Sequence, residues 1–510
     1  MNLLPAIRNE DGKAIVGTLG DHHDDMDVKG GKRGFVQPDG TFINRIAALE
    51  WIKKNQFDVY KKLFKEGIKE LHTGDYYDAM GIDAAKEVDV SNKTIIIYDR
   101  GIYTYLAEFL AQFYGKVIYY RHQSEVYPQG APCQVGSGIP DVEWTNDFWG
   151  KIDKADDIFF PYVFDGGIQA FLRKHGYPVC GSGKSEKIEH EKWFLKEKLK
   201  EVGLPVIPTY RAKGLDDLEE WMKGKQPKMV IKSNEPYRGD WETHTFKNKY
   251  ELQCYINTVR GDVGPERAKE MDLLVEKWIE SACESGYDGF RLRGKLADWP
   301  TIGFEIKDEG YIARAIEKLP EILQKSENAI APVYDELEDC ASPYSCEGRI
   351  TEDGKFWRTD ETLRGGNPPA PCFIEMYGKQ YAQAIDSLAH GKLPKMKKPD
   401  YEYGAEIVLQ SAWYIKHELH VGCPKDFGKH IKLNNMYMKK GQRYCDPVLS
   451  QDDINYFGSI VGFGKTHKEA TDMALEKIKE IDVYKLNFTE NIFDQAEEVC
   501  DAGKKWGIVV

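Results

Sequence analysis

The chain has 510 residues, of which 41% are hydrophobic and 12% aromatic, and a formal net charge of −13. It is too long for one hydrophobic core and should form about two to four domains. Its acidity argues against a general nucleic-acid binder or a membrane-surface binder.

No apolar run reaches the length of a membrane span, and Met1-Asn2-Leu3-Leu4 turns polar by Arg8-Asn9-Glu10, so neither a spanning helix nor a signal peptide is expected. The ten cysteines are scattered without a C-x-x-C pair. They read as reduced thiols of a cytoplasmic protein, not as a disulfide frame or a zinc site.

Residues 1–90 read as an appendage of unassigned role. Gly34 to Ile43 predicts a small hairpin, and Arg45 to Leu71 a helix. The Asp21-His22-His23-Asp24-Asp25 run reads as a polar loop in preference to a metal site. A second unit is expected over residues 91–184. Thr94–Tyr98, Val117–Tyr120 and Ile158–Pro161 predict buried strands, and Ile102–Phe113 and Ile168–His175 predict helices. Such alternation implies a parallel α/β sheet. Ligands on these sheets sit beyond the carboxyl ends of the strands, which makes Asp99, Arg100 and Asp165 candidates for substrate contact.

From Ser182 the pattern changes. Lys184–Val202 predicts a charged amphipathic helix stopped by Gly203-Leu204-Pro205. Val206–Tyr210, Lys228–Lys232, Leu273–Glu280 and Thr301–Ile306 predict strands, and Ile312–Gln324 a helix. Beyond the Pro394–Pro399 linker, residues 399–510 read as a final α/β module.

Between that helix and that linker lies the most informative segment. Cys346–Ile350 and Phe356–Thr362 are β-type runs joined by an Asp353-Gly354 turn. Glu347 lies on the first run; Asp360, Glu361 and Thr362 end the second, with Arg364 just beyond. Carboxylates converging from neighbouring strands suit magnesium on a polyphosphate, and an arginine beside them would meet the charge that develops as phosphoryl is transferred.

The ordered parts resemble the ATP-grasp superfamily, in particular the glycinamide ribonucleotide synthetase family. The likeness is carried by Glu191-Lys192-Trp193-Phe194-Leu195-Lys196 with Gly203-Leu204-Pro205-Val206, by Val230-Ile231-Lys232, by Val275-Glu276-Lys277-Trp278-Ile279, and by Asp360 to Pro368. The closing segment Gly458 to Thr466, followed by a helix with Ala470, adds to it. It covers roughly residues 93 to 490.

The resemblance implies an α/β protein, α+β in its ATP-binding part. A pre-ATP-grasp domain would span 91–184, the ATP-grasp domain 185–398 and a C-terminal domain 399–510. It implies a ligase that activates a small-molecule carboxylate with ATP as an acyl phosphate and couples it to an amine or similar nucleophile. Lys192 and Lys232 would then bind phosphates. Arg238 would add charge on a loop, Ser233–Glu242, that has a single glycine where the family is glycine-rich. Glu276, Lys277, Trp278 and Ile279 would line the adenine, and Glu284 would bind the ribose.

By the same likeness Glu347, Asp360 and Thr362 would hold magnesium or manganese, with Glu361 as the alternative to Asp360. Arg364 would act on the transferring phosphoryl group, with Arg293 and Lys307 meeting substrate anions. The glycine-poor loop and the threonine at 362 motivate the alternative of a nucleotide-binding protein without ligase turnover. No counterpart of the family's G-G-M-G loop is present, which argues against the purine substrates. The acidic surface permits a homodimer.

Overall fold

The computed structural model describes residues 3–8, 14–16, 32–56, 60, 63, 88–121, 134–225, 228–234, 243–307, 309–366, 370–447 and 456–510. The chain divides into two compact units, Met1–Val88 and Asp89–Val510. Among the described residues no helix is long and apolar enough to cross a membrane, and the nine described cysteines are all free.

The first unit is a four-stranded antiparallel sheet with a helix. Its strands run in the order Ala14–Val16, Leu4–Arg8, Lys32–Val36, Phe42–Asn44. The predicted hairpin is present. Gly40 takes a left-handed backbone (φ 87), and Thr41 N donates to Asp39 Oδ1 at 2.9 Å. The Arg45–Asn55 helix is capped by Asn44, whose Oδ1 accepts from Ala47 N; this side-chain acceptor satisfies a backbone donor left free at a helix start. Leu3, Phe35, Ala48, Ile52 and Leu63 form its core. The Asp21–Asp25 run lies outside the described residues.

The second unit opens with the expected parallel sheet, in the order Val142–Thr145, Lys116–Arg121, Thr94–Asp99, Asp157–Phe159, Val179–Cys180. Ile95, Ile96 and Ile97 are fully buried in its central strand, as the continuous apolar run requires of a sheet covered on both faces.

Two antiparallel sheets follow. A four-stranded sheet runs Thr209–Lys213, Asp272–Lys277, Met229–Ser233, Thr243–Phe246. A ten-stranded sheet has the main path Phe356–Thr362, Ala341–Ile350, Cys283–Leu292, Thr301–Ile306, Gly310–Ala315, Tyr403–Ser411, Tyr456–Gly464, Ile431–Leu433. Strands at 403–411 and 456–464 thus extend the sheet that carries the acidic hairpin. A further small sheet of four strands joins Met436–Lys439, Gln442–Cys445, Leu419–Gly422 and Asp482–Val483.

The helix predicted from Arg45 to Leu71 ends at Asn55, and two elements of the second unit also differ from expectation. The helix predicted over Ile312–Gln324 is a strand, Gly310–Ala315, and then a helix, Glu321–Leu337, that starts after Pro320. Ile312, Ala313 and Ala315 are buried by pairing with Thr301–Ile306 and Tyr403–Ser411, so tertiary pairing overrides the local pattern. The helix predicted over Lys184–Val202 is broken at Glu191 (φ −102, ψ 85) into Lys187–His190 and Lys192–Glu201.

Candidate active site

The break at Glu191 positions the first lysine. It frees Trp193 N to donate to Asn234 Oδ1 at 2.7 Å. Asn234 directly follows the Met229–Ser233 strand, and its side chain also donates to Asp272 Oδ2 at 2.9 Å. One asparagine therefore ties the start of the Lys192–Glu201 helix to the end of the strand that carries Lys232.

Lys192 and Lys196 are one helical turn apart and share a face. Lys196 Nζ lies 2.6 Å from Glu276 Oε1, and Lys232 Nζ lies 3.5 Å from Glu276 Oε2. Lys232 Nζ also donates to Thr359 O at 3.4 Å. Lys192 Nζ reaches across to Asp360 Oδ1 at 3.1 Å. Glu276 and Lys232 are buried, at 4% and 7% exposure. A buried charge is tolerable only when paired, and here one carboxylate serves two ammonium groups. Burial alone would raise the Glu276 pKa; Lys232 and Lys196 outweigh it and hold it below the ordinary value. Burial lowers the Lys196 pKa against the pull of Glu276.

The opposite wall is the hairpin. Its turn is the Asp353-Gly354 pair, with Gly354 at φ 73, and its strands are Ala341–Ile350 and Phe356–Thr362. Glu347 stands directly opposite Asp360, and Ser345 opposite Thr362. Residues paired across strands share a face, and residues two apart along a strand do also. Glu347, Asp360 and Thr362 therefore line one surface, the one Lys192 meets.

Glu361 points the other way. It is fully buried and accepts from Tyr334 Oη at 2.6 Å, from Tyr344 Oη at 2.5 Å and from Arg358 Nη1. Of the two neighbouring acids, Asp360 faces the lysines and Glu361 belongs to the core. Desolvation by the surrounding protein and repulsion from Asp360 both raise the Glu347 pKa. Two carboxylates and a hydroxyl, all oxygen donors, fit a hard cation such as magnesium.

The segment Glu276–Ile279 meets one end of this surface. Lys277 N donates to Pro208 O at 3.0 Å. Arg349 lies 4.9 Å from the Trp278 ring, donates to Ile279 O at 3.4 Å and pairs with Glu284 Oε1 at 2.6 Å. Arg349 thus draws Glu276–Ile279 and Glu284 together. Arg364 pairs with Glu189 Oε1 through Nε at 3.1 Å and donates to Tyr103 Oη at 3.1 Å. Glu189 Oε2 also accepts from Leu363 N, and Tyr103 Oη donates to Gly365 O at 2.7 Å. The arginine is held rigidly at the end of its strand.

Other sequence candidates fall elsewhere. Arg293, with a left-handed backbone (φ 51), follows Leu292, which pairs with Ala341. Ala341 opens the strand and Glu347 lies well along it, roughly 20 Å away at strand spacing, so Arg293 is not brought to the acids. Lys307 is largely exposed, 3.9 Å from Glu305, although its charge reaches Glu347. Arg238 lies outside the described residues.

Asp99 is fully buried and accepts from Tyr119 Oη at 2.7 Å and from Tyr103 N at 3.0 Å, so it shapes its loop and is not exposed to a ligand. Arg100 and Asp165 pair with each other at 3.1 Å. Sequence reasoning missed Lys196, Glu189, Asn234 and Tyr103 as parts of this constellation. The i,i+4 spacing from Lys192 was a signal for Lys196; the others depend on contacts between distant segments.

No protein-family model matches this chain, and no curated protein does. Solved structures do match in fold. Phosphoribosylamine–glycine ligase from Thermotoga maritima superposes with a TM-score of 0.58 at 15% identity, covering 78% of this chain and 99% of that one. The biotin carboxylase domain of the 2-oxoglutarate carboxylase of Hydrogenobacter thermophilus, solved with MgADP, ADP and bicarbonate, gives 0.56 at 14% identity, covering 80% and 98%. An ADP complex of N5-carboxyaminoimidazole ribonucleotide synthetase gives 0.52 at 15% identity, covering 81% and 100%. At these identities the likeness is one of fold.

Proposed function

We propose that this chain, which has the ATP-grasp fold, is an ATP-dependent ligase. It activates a carboxylate as an acyl phosphate and couples it to an amine or similar nucleophile. The observation that carries this reading is the meeting of Lys192 and Asp360 at 3.1 Å, with Lys196 and Lys232 held beside Lys192 by Glu276. The bicarbonate named with the Hydrogenobacter domain supports an oxyacid as phosphoryl acceptor.

Lys192 and Lys232 neutralise phosphate oxygens as point charges, while Glu276 keeps Lys232 and Lys196 in place. The Glu276–Ile279 linker borders the adenine, and Glu284 takes a ribose hydroxyl. Magnesium, held by Glu347 and Asp360 with Thr362 beside them, would supply charge neutralisation on the polyphosphate. Arg364, fixed by Glu189 and Tyr103, meets the charge that grows on the transferring group.

A carboxylate oxygen forms a bond to the γ-phosphorus as the bond to the bridging oxygen breaks, giving ADP. The amine nitrogen then bonds the acyl carbon, inorganic phosphate leaves, and the nitrogen's proton passes to solvent. Incubation with ATP, magnesium, hydroxylamine and a panel of carboxylic acids tests this. ADP together with a hydroxamate of the accepted acid is the expected product pair. AMP and pyrophosphate instead of ADP would overturn the reading.

A further inference from the structure

An unassigned cluster lies at the amino-terminal edge of the parallel sheet, the edge opposite the strands' carboxyl ends. Asp157 opens its strand and is fully buried. Its Oδ2 accepts from Tyr114 Oη at 2.9 Å, whereas its Oδ1 has no well-aligned hydrogen bond and faces His390. That oxygen lies 3.2 Å from Nε2 of His390. Asp386 stands one turn before His390 at the end of the Lys379–Ala389 helix, its Oδ1 3.7 Å from the same nitrogen. The three ligand atoms lie within 4.8 Å of one another. Lys93 Nζ also touches Asp386 Oδ1.

We propose that Asp157, Asp386 and His390 form a binding site for a divalent cation of the zinc class. Zinc bonds of about 2.0–2.1 Å place neighbouring ligands of a tetrahedron roughly 3.3 Å apart. The observed 3.2 and 3.7 Å separations bracket that edge length. A buried carboxylate oxygen turned toward an imidazole nitrogen and a second acid needs positive charge beside it, and a metal ion would take the place of the proton that otherwise lets His390 supply it. An imidazole beside two carboxylates favours zinc over magnesium or calcium, which take oxygen ligands. His390 is 41% exposed, which leaves an entry path and room for a water as fourth ligand. Lys93 is the built-in competitor, so the metal displaces its ammonium from Asp386. Since Asp157 and the Asp386 helix are far apart in sequence, the bound ion clamps that helix to the sheet, and its effect is on stability.

The full chain, stripped with chelator, is titrated with cobalt(II) as a spectroscopic probe and then with zinc. The expected result is one equivalent of cobalt with a tetrahedral spectrum, displaced by zinc, and a zinc-dependent rise in melting temperature. His390→Gln and Asp386→Asn should lose both signals. Asp360→Asn, altered only at the proposed nucleotide cleft, should keep them, and Lys93→Met should bind more tightly. The proposal fails if the parent gives no tetrahedral spectrum. It also fails if His390→Gln and Asp386→Asn bind as the parent does, or if Lys93→Met only loses stability, which would leave Lys93 as the sole counter-charge of the two acids.

Discussion

Asp360 and Glu361 are neighbours in the chain but face opposite sides of a sheet, and the difference is measurable. Glu361 serves a closed network. Arg291, fully buried, lies 4.1 and 4.0 Å from the Tyr334 and Tyr344 rings and pairs with Glu327 at 2.6 Å; Arg358 bonds Tyr287 Oη at 2.6 Å and Glu361. Glu361→Gln leaves Arg358 with only the more distant Glu327, at 3.5 Å, as a carboxylate partner and should cost about 3 kcal/mol, read by denaturant unfolding. Asp360→Ala should leave the unfolding midpoint nearly unchanged and remove magnesium-dependent nucleotide binding, read by calorimetry.

Glu276→Gln should also destabilise, by about 3 kcal/mol, because two lysines lose their shared partner. The sign with pH follows from the depressed pKa of Glu276. Its contribution is present above the unfolded carboxylate value and is lost as pH falls through the lower folded value. Acid melts should therefore separate parent from variant most near neutrality and least in strong acid.

Asp288 and Glu406 act in the opposite sense. Burial raises Asp288 to about 7 and Glu406 to about 8. The folded state holds protons that the unfolded state has released, so stability falls as pH rises through this range. Asp288→Asn should lose less melting temperature than the parent between about pH 5 and about pH 8.

Among the elements, the acidic hairpin was the most legible in the sequence. An Asp-Gly turn between alternating runs is a local signal, and it identified both strands and the convergence of their carboxylates. The choice between Asp360 and Glu361 needed register, which the alternation alone did not settle. The first strand begins at Ala341, not Cys346, because Ala341-Ser342-Pro343-Tyr344 shows no alternation and is buried through its partners in Cys283–Leu292. The strand at Gly310–Ala315 was read as helix because its apolar spacing suits either state until its neighbours are known. The same limit hid Glu189, whose role rests on contacts with Leu363 and Arg364, more than 170 residues away. Glu189→Gln should weaken the hold on Arg364 and lower kcat more than the affinity for ATP, as steady-state kinetics would show.

At the scale of the molecule, the parallel sheet was legible from alternating strands and helices, and the fold from an ordered set of individually weak motifs. The ten-stranded sheet was not, since Gly310–Ala315 pairs with Tyr403–Ser411 across about ninety residues. That pairing makes the C-terminal region part of the core. A chain ending before Tyr403 leaves the Gly310–Ala315 edge uncovered and should be insoluble, whereas a fragment of residues 89–510, itself a compact unit, should fold.

The central claim is a nucleotide cleft with lysines on one wall and acids on the other. Calorimetric titration of ATP with magnesium tests it most directly. The account predicts a single magnesium-dependent site in the parent, lost in Lys232→Met and in Asp360→Ala. Failure of the parent to bind, or binding by both variants equal to the parent's, would contradict it.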